Sequence, residues 1–103
     1  MGKDIESYRA LQRMTAIYRD NKLCTRHYFL LFEFVKGDHV HHVYGRSSTG
    51  NWKEHYTNLL CLCVNCHNLY GPLSTKGDTE QEFILKKANE TPINPLFSHE
   101  QID

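Results

Sequence analysis

The sequence predicts a small α+β fold: short strands and one short helix in the middle of the chain, a longer helix on either flank, and a bound metal ion holding the middle together. Three observations lead there. Apolar residues recur at helical spacing near both ends, apolar and aromatic runs too short for helices lie between them, and two pairs of metal-binding residues, Cys24-x-x-His27 and Cys63-x-x-Cys66, bracket those runs. A chain of 103 residues, 40% of them hydrophobic, makes one domain with a modest core, so a staple is expected.

The first helix is expected from Asp4 to about Asn21, within an N-terminal segment of residues 1–22. Ile5, Tyr8, Leu11, Met14, Ile17 and Tyr18 fall near one face, Asp4 is placed as N-cap, and Lys22 suits the C-terminal end. Arg9, Arg13 and Arg19 lie on the polar face; solvation is the expected role and phosphate tracking the alternative.

The core is expected over about residues 24–75. Its first strand is YFLLFEFV (28–35), closed by a turn at Gly37-Asp38, and a second strand follows over His39 to Tyr44. Residues 45–56 carry two glycines, Ser, Thr and scattered charge, so they read as a loop. An apolar strand, NLLCLC, then runs into Cys63-x-x-Cys66 and a helical turn that Gly71-Pro72 stops. A last helix is expected over 78–89, capped by Asp78 with Gln81 in the capping-box position, and an extended tail over 90–103.

Net charge is zero, with 12 basic and 12 acidic residues. Residues 1–55 hold nine Lys or Arg against six Asp or Glu, and residues 56–103 hold three against six, a polarity that suits a phosphate partner but is too small to argue for one alone. No run approaches the roughly 20 apolar residues of a membrane span, and MGKDIESYRA lacks a secretory pattern. An intracellular, cytoplasmic protein with no membrane partner is therefore expected.

Cys24, Cys61, Cys63 and Cys66 are crowded, three of them within six residues, which points to metal rather than a disulfide framework. Each two-residue gap lets a tight turn aim both side chains at one ion, and four nitrogen or sulfur ligands make a closed structural zinc site. Cys24, His27, Cys63 and Cys66 are the expected ligands. Cys61 is the rival, read instead as a buried strand thiol.

The string His41-His42-Val43, followed by Asn58-Leu59 and Leu62-Cys63-x-x-Cys66-His67, resembles the HNH endonuclease family over about residues 24–70. The resemblance implies a ββα-metal, treble-clef-like core with the cysteine pairs as scaffold. Carried over by position, His41 and His67 are ligands of a catalytic divalent ion, His42 is the general base, and Asn58 orients the hairpin and the base. The implied enzyme is a phosphodiester hydrolase cutting DNA, as a nick or as a double-strand break, with Mg²⁺ or Mn²⁺. Two histidine ligands can also hold Zn²⁺ or Ni²⁺. The family is frequent in phage and bacterial mobile systems, so a phage-encoded protein acting in a bacterial host is one implication.

Several alternatives stay open at this stage. Asp38-His39 followed by Val40 offers a second register, with Asp38 as ligand and His39 as base, against Asp38 as a turn residue and His39 as a neighbouring substrate contact. Arg46 is a candidate phosphate clamp, and Lys53 and Trp52 are candidate nucleic-acid contacts, against a solvated Arg and Lys and a packed Trp. His55 and His99 read as surface residues. A non-catalytic zinc module binding nucleic acid or protein, and a protein with two structural zinc ions, compete with the nuclease. Cutting both strands is easiest for a homodimer.

Overall fold

The computed structural model describes residues 2–44, 51–71 and 79–101. Helix α1 spans Gly2–Arg19, strand β1 His39–His42, strand β2 Leu59–Leu62, helix α2 Val64–Tyr70 and helix α3 Thr79–Glu90. The two strands are antiparallel neighbours, pairing His39 with Leu62, Val40 with Cys61, His41 with Leu60 and His42 with Leu59. The fold is thus α+β, with helices on both flanks of a two-stranded sheet, as expected. Among the described residues no helix is long and apolar enough to cross a membrane.

β2 is buried throughout, and its alternating side chains serve two clusters. Leu60 and Leu62 join Cys24, Val43, Cys63, Cys66, Ile84 and Ala88, the cluster that roots α2 and α3. Leu59 joins Tyr56, Ala16 and Phe97, with Val40 packed against them, on the side of α1. The same alternation divides β1: His39 and His41 stand over the α2/α3 side, and Val40 and His42 over the α1 side.

The edge of β2 turned away from β1 is completed by side chains rather than by a third strand. Arg19 donates to the carbonyls of Leu59 and Tyr56, the Asp20 carboxylate accepts from the Cys61 N–H at 2.9 Å, and Thr25 Oγ1 donates to the Cys61 carbonyl at 3.0 Å. A strand edge buried without partners would leave these polar groups unsatisfied. Arg19 and Asp20 are fully buried and paired with each other at 2.8 Å. Burial pushes the Asp20 carboxyl up, with the Arg19 charge pulling against it.

This docking reverses the expected face of α1. Leu11 and Met14 are exposed, whereas Gln12, Thr15, Ala16 and Arg19 are buried. The β2 edge and the Tyr56 amide need hydrogen-bond partners that an apolar stripe cannot supply; Gln12 Oε1, for instance, accepts from Tyr56 N at 2.8 Å. Arg19 is therefore neither solvated nor available to phosphate. The helix begins at Gly2, so Asp4 is not its cap.

The expected strand over 28–35 is also overturned. His27–Leu31 is a π-helical turn, closed by Phe32 in the left-handed region (φ 56°), whose N–H bonds back to the His27 carbonyl. Helical winding starts at Thr25 and Arg26, and Tyr28 N donates to Cys24 O, which sets Cys24 and His27 one turn apart on one face. An extended chain would turn the two side chains apart. The segment returns through Val35, whose carbonyl accepts from Cys24 N, and Gly37, whose N–H donates to Lys22 O.

Residues 91–101 are packed down, not extended. Asn94 N donates to Arg19 O and its Nδ2 to Tyr18 O, satisfying the last carbonyls of α1, and Phe97 is buried beside Tyr56 and Tyr18. His99 is exposed, as expected, and pairs with the Tyr56 hydroxyl and the Asn89 carbonyl, whereas His55 is half-buried and its Nδ1 accepts from Thr57 N.

Candidate metal centre and histidine cluster

Two short turns build the first site. Cys24 and His27 come from the turn that opens the 25–31 segment, and Cys63 is the N-cap of α2 with Cys66 in its first turn. Their ligand atoms lie within 4.8 Å of one another, and they form a Cys3His group able to hold a metal such as zinc. The His27 Nδ1 stands 3.2, 3.7 and 3.5 Å from the sulfurs of Cys24, Cys63 and Cys66. A tetrahedral ion about 2.0 Å from nitrogen and ~2.3 Å from sulfur sets such pairs about 3.5 Å apart, so the donor set fits zinc.

The electrostatics around the group act in opposite directions on Cys63 and Cys66. Burial pushes the Cys63 thiol up, but hydrogen bonds from the Cys66 backbone amide and from neighbouring thiols and Asn65 outweigh it, leaving Cys63 below the ordinary thiol range. Burial pushes Cys66 up to about 12, opposed by the Arg26 guanidinium, whose Nη1 is 3.6 Å from Cys66 Sγ. Glu80 of α3 holds Arg26 from the other side at 3.2 Å. Cys61 lies outside the group: burial, followed by the Asp20 charge, pushes its thiol up to about 12.

A second constellation lies where β1 meets α2. His67, on α2, stacks against His39 at 5.3 Å between ring centres and meets His41 edge-on at 5.4 Å. His41 is buried, its Nε2 2.8 Å from Gln81 Oε1 of α3. His67 Nδ1 is fully buried with no hydrogen-bond partner among the described residues. Such an orphaned nitrogen is costly beside protein alone and is the expected state of a ligand atom. Asp38 is largely exposed, with its Oδ1 3.7 Å from His39 Nε2.

His42 stands on the opposite face of β1 from His41. Its Nε2 is 3.0 Å from Glu54 Oε1, both side chains being almost buried, and Arg9 Nε of α1 approaches the other carboxylate oxygen at 3.8 Å. Asn58 immobilises the chain that follows β1. Its Oδ1 accepts from Tyr44 N at 2.9 Å, and its Nδ2 donates to Tyr44 O at 3.2 Å and Lys53 O at 2.8 Å.

Glu54 and Gln81 were not legible as site residues. Glu54 sits in a stretch that reads as loop, and Gln81 reads as a capping residue, whereas its side chain is buried against His41. Lys53 is nearly buried, against the expectation of a solvated or nucleic-acid-facing amine. Arg46, the side chain of Trp52 and the expected cap Asp78 lie outside the described residues.

Comparison with family models, with curated proteins and with solved structures finds no match to this chain in any of the three.

Proposed function

We propose that the protein is a metal-dependent endonuclease of the HNH type, hydrolysing phosphodiester bonds in DNA, with a structural zinc on Cys24, His27, Cys63 and Cys66. The observation that carries this reading is the meeting of His41 and His67 across β1 and α2, with the His67 Nδ1 buried and without a hydrogen-bond partner among the described residues. A zinc scaffold alone has no use for that pair.

In this reading His41 and His67 hold one divalent ion, Mg²⁺ or Mn²⁺ being the first candidates. When bound, such an ion withdraws charge from the scissile phosphate and its leaving oxygen. His42 takes the proton from the attacking water, and Glu54 fixes the imidazole through Nε2. Asn58 keeps the segment after β1 in place through Tyr44 and Lys53, so that His42 does not drift from its position. Most contacts to DNA go to phosphate in a domain of this size, and cutting both strands calls for two copies.

The test is cleavage of supercoiled plasmid by wild type and by His42→Ala across a panel of divalent metals. Nicking by wild type, with His42→Ala reduced about 100-fold or more, is expected. DNA left intact under every metal by protein that retains one zinc per chain would replace the nuclease with a non-catalytic zinc module. Equal cleavage by the two proteins would remove His42 from the chemistry.

A further inference from the structure

We infer that the aromatic groove between residues 28–34 and α3 seats a second copy of this chain, in a two-fold dimer where Phe32 of each copy enters the groove of the other. The inference goes beyond the nuclease reading and does not depend on it.

The groove has a volume of about 520 Å³ and is lined by Tyr28, Phe29, Phe32 and Phe34 together with Phe83 and Lys87 of α3. Phe29 packs against the core cluster, and Tyr28 meets Phe29 edge-on at 4.9 Å and stacks on Phe34 at 5.8 Å, so the lining is ordered before anything binds. Phe32, Phe34 and Phe83 are nevertheless 86%, 79% and 45% exposed. At about 200 Å² for each side chain, roughly 400 Å² of phenylalanine surface meets water in one place. Such a patch supplies the apolar centre of a standard interface, which takes roughly 800 Å² from each partner and surrounds that centre with a polar rim.

Shape argues that the occupant is this same chain. Phe32 closes the π-helical turn in the left-handed region (φ 56°), an uncommon place for an aromatic residue, and its ring stands at the rim with little of its own chain around it. A cavity of about 150 Å³ accommodates one benzene-sized ring, so the groove has room for the partner's Phe32 and Phe34 together. Projection and groove lie on one patch. A contact between two such patches is isologous and closes at two copies instead of propagating.

Charge argues the same way. Glu33 is exposed between Phe32 and Phe34, and Lys87 holds its Nζ 5.7 Å above the Phe83 ring. Among the described residues neither has an ion-pair partner. A two-fold contact that carries Phe32 into the opposite groove carries Glu33 towards the partner's Lys87, twice over. The same carboxylate disfavours a nucleic-acid strand, whose phosphates would meet Glu33 wherever a base stacked on these rings. With a net charge of zero, two copies have no overall repulsion to overcome.

The test is sedimentation equilibrium of the zinc-loaded protein over a range of concentrations, with circular dichroism to establish that each variant is folded. Wild type is expected to approach twice the 12.1 kDa of one chain, with a dissociation constant of about 10 µM or tighter. Phe32→Gly removes the ring at a position whose φ glycine adopts freely, and is expected to weaken the dimer about 30-fold or more. Lys87→Glu brings like charges together and is expected to weaken it about 10-fold, most of which Glu33→Lys combined with Lys87→Glu should restore. A wild type that keeps the mass of one chain at about 100 µM would overturn the inference. If that monomer bound a thymidine oligonucleotide and Phe32→Gly did not, the groove would belong to nucleic acid instead. A dimer left equally tight by Phe32→Gly would overturn the assignment to this groove, and a double variant no tighter than Lys87→Glu would overturn the pairing of Glu33 with the partner's Lys87.

Discussion

Gln81 of α3 sets its side-chain oxygen 2.8 Å from the Nε2 of His41 on β1, tying together two elements 40 residues apart in the chain. Both side chains are buried, so this contact fixes the ring of a candidate metal ligand in a place where water cannot substitute for the amide. Gln81→Leu, which fills the space and removes the oxygen, is expected to weaken binding of the second ion by roughly 10- to 100-fold. Zinc content, set by the cysteine group, should stay at one per chain. Cobalt titration and elemental analysis on the same sample measure both.

Asn58 makes three hydrogen bonds from one buried side chain, and its amide nitrogen serves two carbonyls, those of Tyr44 and Lys53. Asn58→Asp retains an acceptor for the Tyr44 N–H but loses both donors and sets a carboxylate against two carbonyl oxygens. A loss of about 2–4 kcal/mol is expected, read from urea denaturation of the zinc-loaded protein. A change below about 1 kcal/mol, the worth of one ordinary hydrogen bond, would mean that the segment after β1 is held by other contacts.

The buried Arg19–Asp20 pair completes the free edge of β2, and Arg19 also reaches Asn89 of α3 at 2.8 Å. Asp20→Ala leaves a guanidinium without its counter-charge in the core, so a destabilisation of about 3–5 kcal/mol is expected. Arg13→Ala, at an exposed position of the same helix, is expected to change stability by less than ~0.5 kcal/mol. Thermal and urea unfolding of the two variants side by side check the contrast.

Gly37 passes over the thiol of Cys61: a Cβ there would lie 2.8 Å from Cys61 Sγ and 3.1 Å from backbone atoms of Leu23 and Cys24. Gly37→Ala therefore presses on the turn that presents Cys24, at an expected cost of about 1–3 kcal/mol. Adding Cys61→Ala should recover part of that loss, because the sulfur contact goes while the backbone contacts stay. Cys61→Ala alone should keep one zinc, and in the folded protein the Cys61 thiol, buried and pushed up to about 12, should resist alkylation at pH 8.

The Cys3His group was legible because its information is local. Each pair of ligands is three residues apart on one turn, and the only long-range step, bringing Cys24 and His27 to Cys63 and Cys66, is the one a tetrahedral ion demands. The buried strand Leu59–Leu62 and the stop at Gly71, which takes φ 77°, were legible for the same reason: apolar continuity and glycine's access to positive φ are properties of a few neighbouring residues. Sequence alone also set His41, His42, Asn58 and His67 apart as a pattern, without showing their spatial relations.

Tertiary structure decided what composition could not. YFLLFEFV has every local preference for a strand, yet the ligand turn at Cys24 and His27 winds its first residues into a π-helical turn. The apolar stripe of α1 gave way to Gln12, Arg19 and, just past the helix end, Asp20, since the unpaired edge of β2 and the Tyr56 amide required polar partners inside the protein. Glu54 beside His42, Gln81 beside His41 and His39 beside His67 likewise exist only after strand, turn and helix have been packed together. Spacing along the chain determined which residues can bind metal; hydrogen-bond satisfaction and packing across distant segments determined what surrounds each one.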